Sequence, residues 1–253
     1  GCLSDVDPHE TDVEVPDAKA VDGSDTAERT AEIVNDLVEQ SQSIMDDLPL
    51  NERRREEGKL PANTILPRGA ATYPDLPSIE ERYGVDGVMV GAGALYIGIA
   101  RALGLEFRKV KGVTGGADSP IINKAKKAVE ELEKGEDFVF VHMKGADSCA
   151  HDHDAECKME YLEKVDDVIG YFIENLDWED SHLAITGDHT TPVAYGDHTS
   201  DPVPVTINGP NIITDNLEEY SERAAQDGGM GRFSGDLVPV LFGYSNWLEK
   251  FGE

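Results

Sequence analysis

The stretch Phe138-Val139-Phe140-Val141, followed at once by His142-Met143-Lys144-Gly145-Ala146-Asp147-Ser148-Cys149-Ala150-His151-Asp152-His153-Asp154, decides the reading of this chain. Four apolar residues, mostly β-branched or aromatic, predict a strand buried on both faces. The polar run begins where that strand ends. In an open α/β sheet, ligands bind beyond the carboxyl ends of the strands. Asp147 and His151 are four residues apart, so one helical turn places a carboxylate and an imidazole on the same side.

Working outward, the pattern repeats. Leu183-Ala184-Ile185 reads as a strand and runs into Thr186-Gly187-Asp188-His189-Thr190-Thr191-Pro192. Gly196-Asp197-His198-Thr199 lies a few residues before a further expected strand, Val203 to Ile207. Six of the seven histidines fall between 142 and 198, the exception being His9. A lone histidine is ordinarily a surface or capping residue. Three Asp/His segments next to strands instead point to a metal centre, of a kind that suits Mn²⁺ or Zn²⁺ and suits Mg²⁺ less well.

Between residues 79 and 185, strands are expected at Val88 to Val90 and Phe107 to Val110. Helices are expected over 93–103, 123–132 and 155–176, the last with Leu162, Val165, Ile169, Phe172 and Leu176 on one face. Helices near 216–227 and 235–250 close the chain. This alternation predicts an α/β fold, a mostly parallel sheet with helices on both faces. Ahead of it, residues 1–24 are turn-rich. A helix follows, with Ile33, Val34, Leu37, Ile44, Met45 and Leu48 as its apolar positions, Asp25 and Glu28 as a capping pair, and Pro49 as its stop. Thr64-Ile65-Leu66 reads as a short strand. The Gly-, Ala- and Pro-rich segment 69–78 suggests a boundary, giving domains at 1–76 and 77–253.

The 253 residues include 51 acids and 22 bases, a net charge of −29. Such a field argues against nucleic acid as a partner. It exceeds the roughly −2 to −8 usual for a small soluble domain and is spread along the chain, which suggests adaptation to a salty cytoplasm. No apolar run reaches 18 residues, so no membrane span is expected. Cys2, Cys149 and Cys157 make an odd count without paired spacing, which predicts free thiols in a reducing compartment, with Cys149 packing rather than ligating. The chain opens Gly1-Cys2-Leu3, without Met, and reads as part of something longer.

Taken together, Asp147-x-x-x-His151, then Thr186-Gly187-Asp188-His189, then His198-Thr199 before Pro202-Val203-Pro204, resemble the metal-ligand order of the alkaline phosphatase superfamily. The closer resemblance is to archaeal-type cofactor-independent phosphoglycerate mutases. Ser4 to Glu10, Asn51 to Lys59, Pro61-Ala62-Asn63, Leu66-Pro67-Arg68-Gly69, Glu80 to Gly84, Gly112 to Gly116 and Gly228 to Arg232 carry it through nearly the whole chain. The resemblance implies two divalent ions and no 2,3-bisphosphoglycerate. Asp147, His151 and His198 would hold one ion, and Asp188 and His189 the other. It further implies a phosphoserine intermediate in converting 3-phosphoglycerate to 2-phosphoglycerate, in glycolysis and gluconeogenesis. The nucleophilic serine has no counterpart here, so the chain reads as a C-terminal fragment, inactive alone, whose first 76 residues come from an inserted substrate-binding domain.

The same resemblance assigns Arg68 to a substrate phosphate or carboxylate, a group suited to a bidentate guanidinium. Asp7 and His9 match a segment near the substrate, although Asp7 equally suits a turn cap. Arg54, with Arg53 and Arg55, is either a substrate contact or a solvated cluster. Lys144 either lines the site or is exposed. One departure stands out: family members carry a lysine where this chain has Ile97. Two alternatives stay open: another phosphatase or phosphopentomutase of the superfamily, or a non-catalytic metal-binding domain.

Overall fold

The computed structural model describes residues 2–8, 13–73, 75–235 and 237–248. The chain divides into two compact units, Gly1–Pro74 and Asp75–Glu253.

In the first unit, helix α1 (Asp25–Asp46) is followed by α2 (Pro49–Glu56). Ser24 caps α1, its hydroxyl accepting from Ala27 N, so the expected Asp25/Glu28 pair contributes acids to the first turn and not the cap. Pro49 opens α2 at a position that needs no N–H, in addition to ending α1. The buried stripe of α1 is Ala27, Ala31, Val34, Val38 and Ser41; Ile33, Leu37, Ile44 and Leu48 are exposed. The apolar face therefore lies one position away from the expected one. The reason is the partner: Ala31 and Val34 pack on Val6 and Ala18 from the N-terminal segment, and small residues allow that approach. Asn35 clamps the segment by accepting from Ala18 N and donating to Ala18 O. The expected strand at 64–66 is not one. Ile65 N donates to the Ser41 hydroxyl, and no strand partner is present among the described residues.

In the second unit, a short helix α3 (Ile79–Tyr83), capped by Ser78, precedes β1 (Gly87–Val90), which lies between β2 (Glu106–Arg108) and β3 (Phe138–Val141), both parallel to it. The three valine and methionine residues of β1 are fully buried, as a central parallel strand requires. Side chains alternate across this sheet. Val139 and Val141 face α5 (Ile122–Glu133) and α7 (Ala155–Asn175), where Ala125, Ala128, Val129, Tyr161, Val168 and Phe172 form the main core. Met89, Phe107 and Phe138 face the opposite way, packing with Ala100, Tyr96 and Ile97 of α4 (Ala94–Ala102). Ile97, the departure from the family pattern, is thus partly buried against a core cluster. On α7, Leu162 is exposed, and Tyr161 and Val168 take the buried face that the sequence pattern gave to it.

The late strands do not extend this sheet. β4 (Leu183–Thr186) and β5 (Val205–Asn208) form a separate antiparallel pair. Only a 3₁₀ turn, Ala224–Asp227, forms in the expected helix at 216–227, where Asp215 instead accepts from Leu217 N and Gly229 N. The last described helix is α8 (Leu237–Tyr244), shorter than expected; Lys250 lies outside the described residues. No helix among the described residues is long and apolar enough to cross a membrane.

Candidate metal centre

Beyond β3, the chain turns into α6 (Gly145–His151). Gly145 starts that helix because nothing larger fits: a Cβ there would stand 2.2 Å from the Tyr161 ring of α7. The single turn from Asp147 to His151 brings His151 Nε2 to 3.3 Å from Asp147 Oδ1. The segment 187–199 closes over this helix. Thr199 N donates to Thr190 O, pairing the two threonines in an antiparallel bridge that brings His198 to His189. Their rings lie 3.8 Å apart between centroids.

The resulting cluster is tight. His198 Nε2 is 3.5 Å from Asp147 Oδ1 and 3.2 Å from His151 Nε2. His151 Nδ1 bonds Gly196 O at 2.8 Å; a carbonyl only accepts, so Nδ1 carries the proton and Nε2 keeps its lone pair toward the cluster. Gly196 adopts φ +73°, and a Cβ there would collide with the His153 ring at 2.2 Å. Both facts restrict that position to glycine. His153 itself bonds Val193 O and is not in the cluster.

Asp147 is held at both oxygens. Lys144 Nζ donates to Oδ2 at 2.5 Å, and the Thr191 hydroxyl donates to Oδ1 at 2.9 Å. Burial raises the Asp147 pKa, but these two hydrogen bonds and the nearby ammonium outweigh it and hold the carboxyl below its ordinary value. The same contact raises the Lys144 pKa against the opposing effect of burial. His189 Nε2 lies 3.5 Å from Asp188 Oδ2, and its Nδ1 lies 3.1 Å from the Thr191 hydroxyl.

The donor set fits a divalent ion. Tetrahedral ligands about 2.0–2.2 Å from one metal stand about 3.3–3.6 Å apart. Asp147 Oδ1, His151 Nε2 and His198 Nε2 form a triangle with edges of 3.2, 3.3 and 3.5 Å. Ligand atoms of Asp147, His189 and His198 also lie within 4.8 Å of one another, as do those of His151, Asp197 and His198. Four of the five expected ligands, Asp147, His151, His189 and His198, therefore lie together, with Asp197 as a donor the sequence reading did not assign; Asp188 reaches them only through its contact with His189. Asp188 and His189 also line an open cavity of about 1670 Å³ that includes Arg232 and Tyr220.

Of the remaining expected site residues, all but Lys144 belong to the first unit. In the first unit, Arg68 Nη1 stands 3.7 Å from Asp7 Oδ2. Arg54 Nε donates to Leu60 O. His9 lies outside the described residues. Lys144 is engaged by Asp147.

Sequence reasoning missed three features. Thr191 and Gly196 were visible only as neighbours of histidines. The expectation of free thiols is overturned for two of the three cysteines: Cys149 and Cys157 form a disulfide, with Cα atoms 5.6 Å apart, and Cys2 alone is free. The sharp turn between α6 and α7 folds the eight-residue interval back on itself, a closeness that linear spacing does not reveal.

The sequence profile of the metalloenzyme superfamily matches residues 16–241. The chain is 42% identical over 251 residues to the 2,3-bisphosphoglycerate-independent phosphoglycerate mutase of Ignicoccus hospitalis, covering 99% of this chain and 60% of that protein. It is 42% identical to the protein of the same name from Thermococcus kodakarensis, covering 97% of this chain and 60% of that protein. A solved protein from Pyrococcus horikoshii superposes with a TM-score of 0.81 at 42% identity, over 92% of this chain and 61% of that one. The chain thus spans about 60% of the length of these relatives.

Proposed function

The chain belongs to the metalloenzyme superfamily, and from that premise we propose that the protein containing it is a cofactor-independent phosphoglycerate mutase. The observation that carries this reading is the Asp147–His151–His198 triangle, set beside Asp188 and His189 in a chain 42% identical to proteins of that name. The substrate is 3-phosphoglycerate, the product 2-phosphoglycerate, and the place in metabolism glycolysis and gluconeogenesis.

Asp147, His151 and His198 would hold one divalent ion, Asp188 and His189 a second; Mn²⁺ or Zn²⁺ suits this mixture of carboxylate and imidazole. Bound there, the ions would activate a hydroxyl nucleophile and offset charge on a transferring phosphoryl group. The chain's own residues prepare the site. Gly196 O fixes the His151 tautomer. Lys144 occupies Asp147 Oδ2 and leaves Oδ1 directed at the two histidines. With its ammonium 2.5 Å from a carboxylate, Lys144 acts in this reading by orienting Asp147 before it contacts substrate.

We assign the first unit to the substrate-binding part, with Arg68 and Asp7 as its phosphoglycerate contacts, supported by their approach to 3.7 Å. His9 and Arg54 belong to the same proposal. The net charge of −29 supports a salty cytoplasm as the setting. A second reading, a phosphate-releasing hydrolase of the same superfamily, draws on Ile97 packing in a core cluster where the family lysine would stand. An assay of the whole protein on 3-phosphoglycerate with Mn²⁺ separates the two. Formation of 2-phosphoglycerate without free phosphate is expected; phosphate release without 2-phosphoglycerate would reject the mutase.

A further inference from the structure

Thr191 is among the few buried polar side chains described in this chain, with 4% of its surface exposed. Its hydroxyl stands 2.9 Å from Asp147 Oδ1 and 3.1 Å from His189 Nδ1. Its backbone carbonyl accepts from Lys158 Nζ of α7 at 2.8 Å, which anchors the residue from the opposite side. The residue thus touches one member of each proposed ligand set, Asp147 of the first and His189 of the second.

The hydroxyl has one proton to give. An ionised carboxylate accepts only, and Asp147 is held ionised by Lys144, so the proton points to Asp147 Oδ1. Toward His189 the same oxygen is then an acceptor. His189 Nδ1 must carry a proton, which leaves the lone pair of the neutral ring on Nε2, the nitrogen 3.5 Å from Asp188 Oδ2. Two anionic or lone-pair groups facing each other at that distance suit a cation between them.

We infer that Thr191 is a positioning residue that fixes the tautomer of His189 and ties it to Asp147, so that the two halves of the ion site form as one unit. The inference rests on the two-ion reading for its purpose but not for its geometry. Partners of this kind alter metal affinity by about 10–100-fold when removed. Thr191→Val keeps the shape and deletes the hydroxyl, and Thr191→Ser keeps the hydroxyl.

The test is ¹⁵N chemical shifts of the histidine rings in the metal-free chain, followed by calorimetric titration with Mn²⁺. The expected result has four parts: His189 protonated at Nδ1 in the unmodified chain, loss of that preference in Thr191→Val, Mn²⁺ binding about tenfold weaker in that variant, and both properties kept in Thr191→Ser. A proton on Nε2 of His189 in the unmodified chain would overturn the inference whether or not any variant folds. So would a valine variant with unchanged tautomer and affinity, or a serine variant as impaired as valine. If the unmodified chain binds no Mn²⁺, the two-ion reading falls, and the ring shifts still decide the role of Thr191.

Discussion

His151 Nε2 faces His198 Nε2 at 3.2 Å across 47 residues of sequence. The other ring nitrogen of His151 is committed to Gly196 O, so the facing pair is directed by the backbone and is not a chance surface contact. In the proposed reading, a shared cation between two such nitrogens and Asp147 would account for their approach. His198→Ala removes one corner of the triangle and is expected to weaken Mn²⁺ binding by at least about 100-fold, at or beyond the upper end seen for outer partners. His153→Ala, whose ring bonds Val193 O outside the cluster, is expected to bind as the unmodified chain does. Titration calorimetry on both variants checks this, and equal affinities would reject the ligand assignment.

Lys124 gives a pH signature. It is fully buried, and its ammonium donates to His142 O at 2.7 Å. Burial pushes its pKa down to about 8, from 10.5 in an exposed chain. Between those values the unfolded chain holds a proton that the folded chain has released, so the stability contributed by this group rises with pH. Below pH 8 the folded chain carries the full cost of a buried ammonium. Lys124→Met abolishes the titration. The stability of the unmodified chain relative to that variant is therefore expected to climb from about pH 8 and level off above about 10.5. Urea unfolding at several pH values measures the difference, and a constant difference would show that Lys124 does not titrate in this range.

The Cys149–Cys157 bridge closes a short loop between α6, which carries Asp147 and His151, and α7. For a loop of this length, chain entropy predicts a stabilisation of about 2–3 kcal/mol. Reduction with a dithiol, or Cys157→Ser, is expected to lower the stability of the second unit by that amount. Equal unfolding midpoints with and without reductant would mean that the bridge contributes nothing.

Self-repulsion among −29 charges is relieved by counterions. Raising KCl from 50 mM to 2 M is expected to raise the melting temperature by about 5–10 °C, corresponding to about 2–3 kcal/mol. A melting temperature independent of salt would separate the acidity from any adaptation to a salty setting.

Much of the second unit was legible in the sequence because its signals are local. Phe138 to Val141 is legible as a strand from its own residues, although Phe140 is exposed and the other three are only partly buried, so the expected burial on both faces does not hold; Asp147 and His151 share a face by helical geometry alone. The first unit was less legible. Its α1 buries alanines because the N-terminal segment approaches closely, and the larger Ile33, Leu37 and Ile44 were the misleading signal. The strand expected at Val203 to Ile207 forms as Val205–Asn208, but nothing in its own residues states that it pairs antiparallel with Leu183–Thr186.

The division follows the range of the forces involved. By itself the sequence determined the α/β alternation, the acidity and the three Asp/His segments, since periodicity and composition act over a few residues. Tertiary structure alone decided that His198 meets His151, through the Thr190–Thr199 bridge, and that Cys149 meets Cys157, through the turn between two helices. It also decided that Thr191 lies between Asp147 and His189. Those contacts depend on where the chain returns in space, which no local pattern encodes.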